Sequence, residues 1–218
     1  MNRYFITGTD TDCGKTFVTC ALLDWFNSRQ QNAQALKPLA SGSLVQDGLL
    51  INDDVRRLQQ HNCAPEQTIV HKCYVPPVSP HLAAQMVNER MSATELVDFC
   101  DKAQFSVFDH LLIEGAGGLM VPLNDEETWL DFIRLANIPV ILVVGMRLGC
   151  INHALLTDSV LKENRIPCLG WIANRRDPDM LVYDENIATL TSRMQMPLIA
   201  TVGYGGKLVF EKTCFLPQ

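Results

Sequence analysis

The sequence predicts an α/β fold, a mainly parallel sheet with helices on both faces. β-type apolar runs alternate along the chain with windows of helical periodicity, the pattern of strands joined by crossover helices. The run Ile138-Pro139-Val140-Ile141-Leu142-Val143-Val144 is apolar at every position, as a strand covered on both faces must be. A glycine-bearing turn, residues 8–16, joins an apolar strand-like run to a helical window. With no repeat, low-complexity tract or linker, residues 1–218 read as one domain.

The elements follow in order. Tyr4-Phe5-Ile6 centres a strand over 3–7, and the spacing from Phe17 to Asn27 predicts a helix over 15–29. A second strand, 33–37, ends at Lys37. Asp53 and Asp54 open a helical window at 51–61, where carboxylates suit the positive helix end. The stretch 62–80 has several prolines and few periodic apolar residues, so it reads as a long loop, and long loops in compact domains are often functional. Helical windows at 80–88 and 93–104 lead to a strand at 109–114. Beyond it come a helix at 128–136, the central strand at 138–144 and a helix at 151–164. A strand at 167–173, a helix at 183–194 and a strand at 197–202 complete the series.

Composition narrows the class. At 24.4 kDa, with 47% hydrophobic and 19% charged residues, the chain has the makeup of a globular protein with a substantial core. A net charge of −6 argues against nucleic acid or an anionic membrane as main partner. The eight cysteines are dispersed with no C-x-x-C pair, which argues against a disulfide framework; the five histidines show no zinc spacing with them. No signal-like N-terminal run exists, and Ile138 to Met146 is too short to span a bilayer. The expectation is a reduced, cytoplasmic protein.

Gly8-Thr9-Asp10-Thr11-Asp12-Cys13-Gly14-Lys15-Thr16 is the strongest functional signal. A glycine-rich turn between strand and helix aims backbone N–H groups and the helix end at a phosphate. Lys15 would reach the β/γ-phosphates and the Thr16 hydroxyl would hold Mg²⁺, although five residues rather than four separate Gly8 from Gly14. The fold is therefore P-loop NTPase-like. Glu114-Gly115-Ala116-Gly117-Gly118 follows an apolar strand, and ligands of open α/β sheets sit at such carboxyl ends. Glu114 stands where an acid would help hold Mg²⁺, and the glycines let backbone approach phosphate.

Lys37 ends the second strand before Pro38-Leu39-Ala40-Ser41-Gly42-Ser43, in the same crevice, where its charge would stabilise a developing anion. Asp54 reads either as a helix-end carboxylate or as a second Mg²⁺-side acid. The turn Gly145 to His153 offers a second anion a helix end, with a plain helix start as the bland reading. Asn174, ending a strand, suits a base edge or a turn equally.

Together the segments YFITGTDTDCGKT, LKPLASGS, LLIEGAGG, PVILVVGMRLGCINHALLT and GWIAN resemble the dethiobiotin synthetase family, in its order and spacing, from residue 3 to about 202. The five-residue gap in the phosphate loop is that family's form. The resemblance implies a reaction in which ATP, CO₂ and 7,8-diaminopelargonate give dethiobiotin, ADP and phosphate, with Mg²⁺. It implies catalytic roles for Lys15 and Lys37, and metal-side roles for Thr16, Asp54 and Glu114. Nucleotide contacts fall at Thr11, Asp12, Cys13, Gly14, Lys15, Thr16 and Phe17, then at Asp54, Glu114, Gly115, Ala116 and Gly117, and at Asn174 and Arg175. Substrate contacts fall at Thr11, Ser41 and Pro80. They extend to Leu148, Gly149, Cys150, Ile151 and Asn152, which across a homodimer interface receive the substrate's carboxylate tail.

Departures from the family are local. Asp12-Cys13 replaces a common Glu-Val pair, and Val202-Gly203-Tyr204-Gly205-Gly206 replaces a Pro-containing turn near the base. Loss of that proline implies relaxed base selectivity, with Glu211 a candidate contact in a tail, 207–218, that aligns poorly. Cys13, at a helix start, is expected to be oxidation-sensitive. Three other readings compete. An amide-forming P-loop ligase needs a glutaminase domain for which 218 residues leave no room. A chromosome-partition or division-site ATPase carries an extra lysine early in the loop, whereas this loop has none before Lys15. A degenerate member that binds nucleotide without turnover is opposed by Lys15, Lys37, Asp54 and Glu114.

Overall fold

A computed structural model describes residues 1–211. The chain runs through β1 (Asn2–Gly8), α1 (Lys15–Asn27), β2 (Ala33–Leu36), β3 (Leu39–Ala40), β4 (Leu44–Gln46), β5 (Leu49–Ile51) and α2 (Asp53–His61). Next come β6 (Lys72–Cys73), α3 (Pro80–Gln85), α4 (Ala93–Cys100), β7 (His110–Gly118), α5 (Trp129–Ala136) and β8 (Val140–Met146). The last elements described are α6 (Cys150–Glu163), β9 (Cys168–Arg175), α7 (Tyr183–Arg193), β10 (Leu198–Val202) and β11 (Leu208–Phe210).

Seven strands form the main sheet in the order β11-β10-β9-β8-β1-β7-β2. Strands β2, β7, β1, β8, β9 and β10 pair in parallel, and β11 adds antiparallel to β10 at one edge. β2 and β7 lie on one side of β1, while β8 and its successors lie on the other. The sheet thus changes direction at β1, and the crevice for a ligand opens at the carboxyl end of that strand.

β8 is buried along its whole length, as its unbroken apolar run requires. It begins at Val140, because Pro139 has no N–H to give the ladder; the Pro139 carbonyl instead accepts from Phe5 N at 2.9 Å. β7 runs through the glycines to Gly118 rather than stopping at 114, since Gly8 of β1 still pairs with Gly118. The helical window at 93–104 breaks at Asp101 and resumes as a single 3₁₀ turn, Ala103–Phe105. The expected helix at 80–88 ends at Gln85.

Five short strands, β3 to β6 and β11, stand where the sequence predicts a loop or nothing regular. β3 and β6 pair in parallel, so the 62–80 stretch carries a strand within it. β4 and β5 form a hairpin whose turn, Asp47-Gly48, has both residues in the left-handed region, as a tight two-residue hairpin turn demands.

Phe5 packs on Trp129 and Phe132 of α5, with ring centroids 5.3 and 5.4 Å apart. The Trp129 indole N–H donates to the Ala116 carbonyl at 2.9 Å. Core packing therefore fixes the glycine run beside the phosphate loop.

Candidate active site

The loop between β1 and α1 is held by its neighbours. Gly14 has φ +90°, and a Cβ there would lie 2.0 Å from the Asn174 amide nitrogen, so only glycine fits. That amide donates to the Cys13 carbonyl at 2.8 Å, and Arg176 Nε donates to the Asp12 carbonyl at 2.9 Å. Arg147 pairs with Asp10. The Lys15 ammonium donates to the Asp10 carbonyl at 3.1 Å, folded along the loop it serves.

Against the first turn of α1 lies a charge cluster, buried at Lys37 and Glu114 and half-exposed at Asp54. Lys37, 4% exposed, places its ammonium 2.7 Å from Glu114 Oε1 and 3.5 Å from Asp54 Oδ2. Glu114, fully buried at the floor, also accepts from the Thr16 hydroxyl at 2.7 Å and the Thr19 hydroxyl at 2.8 Å. Burial by itself lowers the Lys37 pKa, but Glu114 and Asp54 outweigh it and hold it above the ordinary lysine value. Burial likewise works against the Asp54 charge, yet Lys37 and the Thr16 hydroxyl hold its pKa below the usual carboxylate range.

A cleft of about 560 Å³ joins these groups. Thr11, Asp12, Gly14, Lys15, Thr16 and Phe17 line one wall. Lys37, Ser41 and Asp54 line another, with Ala116, Gly117 and Pro80 closing the cleft. Such a cavity, with convergent cations and backbone N–H groups, suits a polyphosphate and a small polar co-substrate. The oxygen donors of Thr16, Asp54 and Glu114 are hard, and two carboxylates with a hydroxyl match the few protein ligands Mg²⁺ takes when phosphates supply the rest.

A family model described as an AAA domain matches residues 2–212. The chain is 52% identical over 208 residues to ATP-dependent dethiobiotin synthetase BioD of Legionella pneumophila (strain Corby), covering 95% of this chain and 96% of that protein. It is 42% identical to the protein of the same name from Cellvibrio japonicus (strain Ueda107), covering 91% and 88% of the two chains. The chain belongs to the ATP-dependent dethiobiotin synthetase family.

Solved structures of the septum site-determining protein MinD of Pyrococcus horikoshii, in complex with Mg-ADP, and of the cell division ATPase MinD of Pyrococcus furiosus share the fold. Their TM-scores are 0.54 and 0.55, at 18% and 20% identity; both matches cover 93% of this chain, and 81% and 84% of those chains. That likeness is of the P-loop fold alone, whereas the dethiobiotin synthetase family is matched in sequence.

Several residues singled out by resemblance to the dethiobiotin synthetase family lie away from the cleft wall. Cys13 is 2% exposed, and its sulfur sits where a side chain on Gly8 would go. The expected oxidation sensitivity thus meets a thiol closed to solvent, whereas reactive cysteines are partly exposed. Gly115 lies behind the wall, its carbonyl accepting from Lys37 at 3.2 Å. Asn174 is buried with its amide committed to the loop. The Arg175 guanidinium turns away to the Pro178 and Asp177 carbonyls and stacks on Tyr183. Leu148, Gly149 and Asn152 are exposed at the start of α6, Ile151 is half-buried there, and Cys150 is buried beneath them. Glu211 is exposed after β11, its N–H donating to the Ile199 carbonyl.

Arg57, Arg176, Asn52 and Val121 line the cleft without having been singled out in the sequence. Arg57 follows Asp54 by three residues, hence on the same helix face, and that spacing was a usable signal.

Proposed function

We propose that the chain catalyses ATP-dependent formation of dethiobiotin from 7,8-diaminopelargonate and CO₂. Family membership sets the reaction; the observation that carries it to this chain is the Lys37–Glu114–Asp54 cluster, joined to Thr16 through Glu114, with Lys15, Thr16, Lys37 and Asp54 lining one cleft. An amine of the substrate adds to CO₂ and forms a carbamate. A carbamate oxygen attacks the γ-phosphorus, ADP leaves, and a carbamic-phosphoric anhydride results. The second amine attacks the carbonyl carbon, phosphate leaves, and the cyclic urea closes.

Lys15 and the backbone N–H groups of the loop bind the β- and γ-phosphates, and Lys37 offsets negative charge on the carbamate and the transferring phosphoryl group. Thr16, Asp54 and Glu114 would hold Mg²⁺, which when bound neutralises phosphate charge. Thr11, Ser41 and Pro80 orient the diamine. Resemblance to the family gives Asn174, Arg175 and Glu211 a role at the base, and the proline-free turn Val202–Gly206 is read as relaxing base selectivity. A strong ATP-over-GTP preference in steady-state rates counts against that last point.

The substrate's carboxylate tail is received by Leu148 to Asn152 of a second copy, in a homodimer. Leu148 and Asn152 of that segment are exposed on the surface of the chain. A cytoplasmic location is supported by the free thiols of the seven described cysteines. Among the described residues no helix is long and apolar enough to cross a membrane.

The test is ADP release with Mg-ATP and bicarbonate, with and without 7,8-diaminopelargonate, and dethiobiotin followed by mass. Diamine-dependent ADP matched by dethiobiotin is expected. Nucleotide binding without diamine-dependent turnover overturns the proposal.

A further inference from the structure

Asn52 stands immediately before α2, 8% exposed, with two of its side-chain hydrogen bonds made to the start of that helix and two to the 41–43 segment. Its Oδ1 accepts from Asp54 N at 3.1 Å and Val55 N at 3.2 Å, capping the helix that carries Asp54. Its Nδ2 donates the other way, to the Ser41 carbonyl at 3.1 Å and the Ser43 hydroxyl at 3.3 Å. A cap needs only the acceptor; the two donations to the 41–43 segment go beyond capping.

The chain between these points is the β4–β5 hairpin, whose Leu44, Val45, Leu49 and Leu50 are all exposed. The hairpin makes no ladder with the main sheet; its own ladder pairs Leu44 with Ile51, which holds the chain as far as Ser43 and Asn52 but not Ser41 or Asp54 beyond them. The 41–43 segment is tied on its far side by Gly42 N to Pro76 O at 3.1 Å and Ser43 N to Tyr74 O at 3.0 Å. Asn52 supplies the near-side tie. It sets the distance between Ser41, assigned to the diamine, and Asp54, assigned to the metal side, along the wall that carries both.

We infer that Asn52 is a positioning residue that registers the diamine contact at Ser41 against the metal-side carboxylate of Asp54. This rests on the dethiobiotin synthetase reading above. Asn52 works by using an acceptor and two donors at once, and among small capping residues only the amide carries both. Serine keeps the acceptor but is too short to reach the Ser41 carbonyl; alanine loses both functions.

The experiment compares wild type, Asn52→Ser and Asn52→Ala for diamine KM, nucleotide Kd, kcat and Tm. In Asn52→Ser the loss of two hydrogen bonds raises the diamine KM about tenfold. Its ADP affinity stays at the wild-type value, while Tm falls by about 3 °C for the two lost bonds. Asn52→Ala shows the same KM effect and loses about 3 °C more in Tm through the lost cap. An Asn52→Ser enzyme with wild-type diamine KM and kcat overturns the inference, leaving Asn52 a cap only. Equal losses of diamine and ADP affinity overturn it too, since that is a general loosening. A wild-type enzyme that binds ATP without diamine-dependent turnover removes the reading beneath it, and the inference falls with that reading.

Discussion

At Lys37 and Glu114 two opposite charges sit together almost wholly out of water, 2.7 Å apart. Taking away one member of such a pair leaves the other uncompensated, which is far more costly than the net worth of the pair. Lys37→Ala is therefore expected to abolish dethiobiotin formation and to lower unfolding free energy by about 3–5 kcal/mol in urea denaturation. A loss below about 1 kcal/mol would show that the Thr16 and Thr19 hydroxyls carry the Glu114 charge by themselves.

Asp54 and Lys37 also set a pH window. The folded pKa of Asp54 is depressed, so its contribution is present above the unfolded value of about 3.9 and lost as pH falls through the folded pKa. The folded pKa of Lys37 is raised, so its contribution is complete below the unfolded value of about 10.4 and lost as pH rises through the folded pKa. Asp54→Asn should make the acid limb of a stability-against-pH curve shallower and move the alkaline loss to lower pH. An unchanged acid limb in chemical denaturation between pH 2 and 5 (about the span of these carboxylates) contradicts it.

Among the elements, α5 matters most to the site because its Trp129 anchors the glycine run of β7. Its start is set by a capping box: the Thr128 side chain takes Leu130 N at 3.2 Å, and the Asp131 carboxylate takes Thr128 N at 2.8 Å. Thr128→Ala is expected to cost about 1 kcal/mol, or roughly 2–4 °C in Tm for a chain of this size. A wild-type melting curve for that variant would place the anchoring in the indole contact alone.

The stretch 62–80 behaves as an element as well. Glu89 takes Lys72 Nζ at 3.0 Å and the Tyr74 hydroxyl at 2.9 Å, and Glu95 takes His71 Nε2 at 2.8 Å. Pro77 and Pro80 therefore present a held wall to the cleft, with β6 as its brace.

For the whole molecule, the question is how many copies make one site. Leu148 is 97% exposed at the start of α6, in the segment assigned to the substrate tail of a second copy. Leu148→Asp places a charge on that surface without touching the phosphate loop of its own chain. It is expected to convert a dimer to a monomer in sedimentation and to raise the diamine KM by tenfold or more, about 1.4 kcal/mol, while ATP affinity is retained. A monomeric wild type, or an unaltered diamine KM in the variant, argues for a site complete within one chain.

What the sequence determined by itself was the chemistry that lies in contiguous segments: the phosphate loop, the glycine run after Glu114, the strand end at Lys37, and the parallel sheet. Phosphate is bound by consecutive backbone N–H groups and a lysine close by in sequence, so that signal is local and survives being read as a string. An unbroken apolar run likewise announces a strand buried on both faces. Only tertiary structure decided that Lys37 meets Glu114 across 77 residues, that Asn174 closes on Cys13 across 161, and that Asn52, Arg57 and Arg176 reach the cleft. The order of strands decides those meetings. It is set by pairing between distant segments whose side chains show no periodicity for it, and short strands such as β3 and β6 exist only because a partner lies beside them.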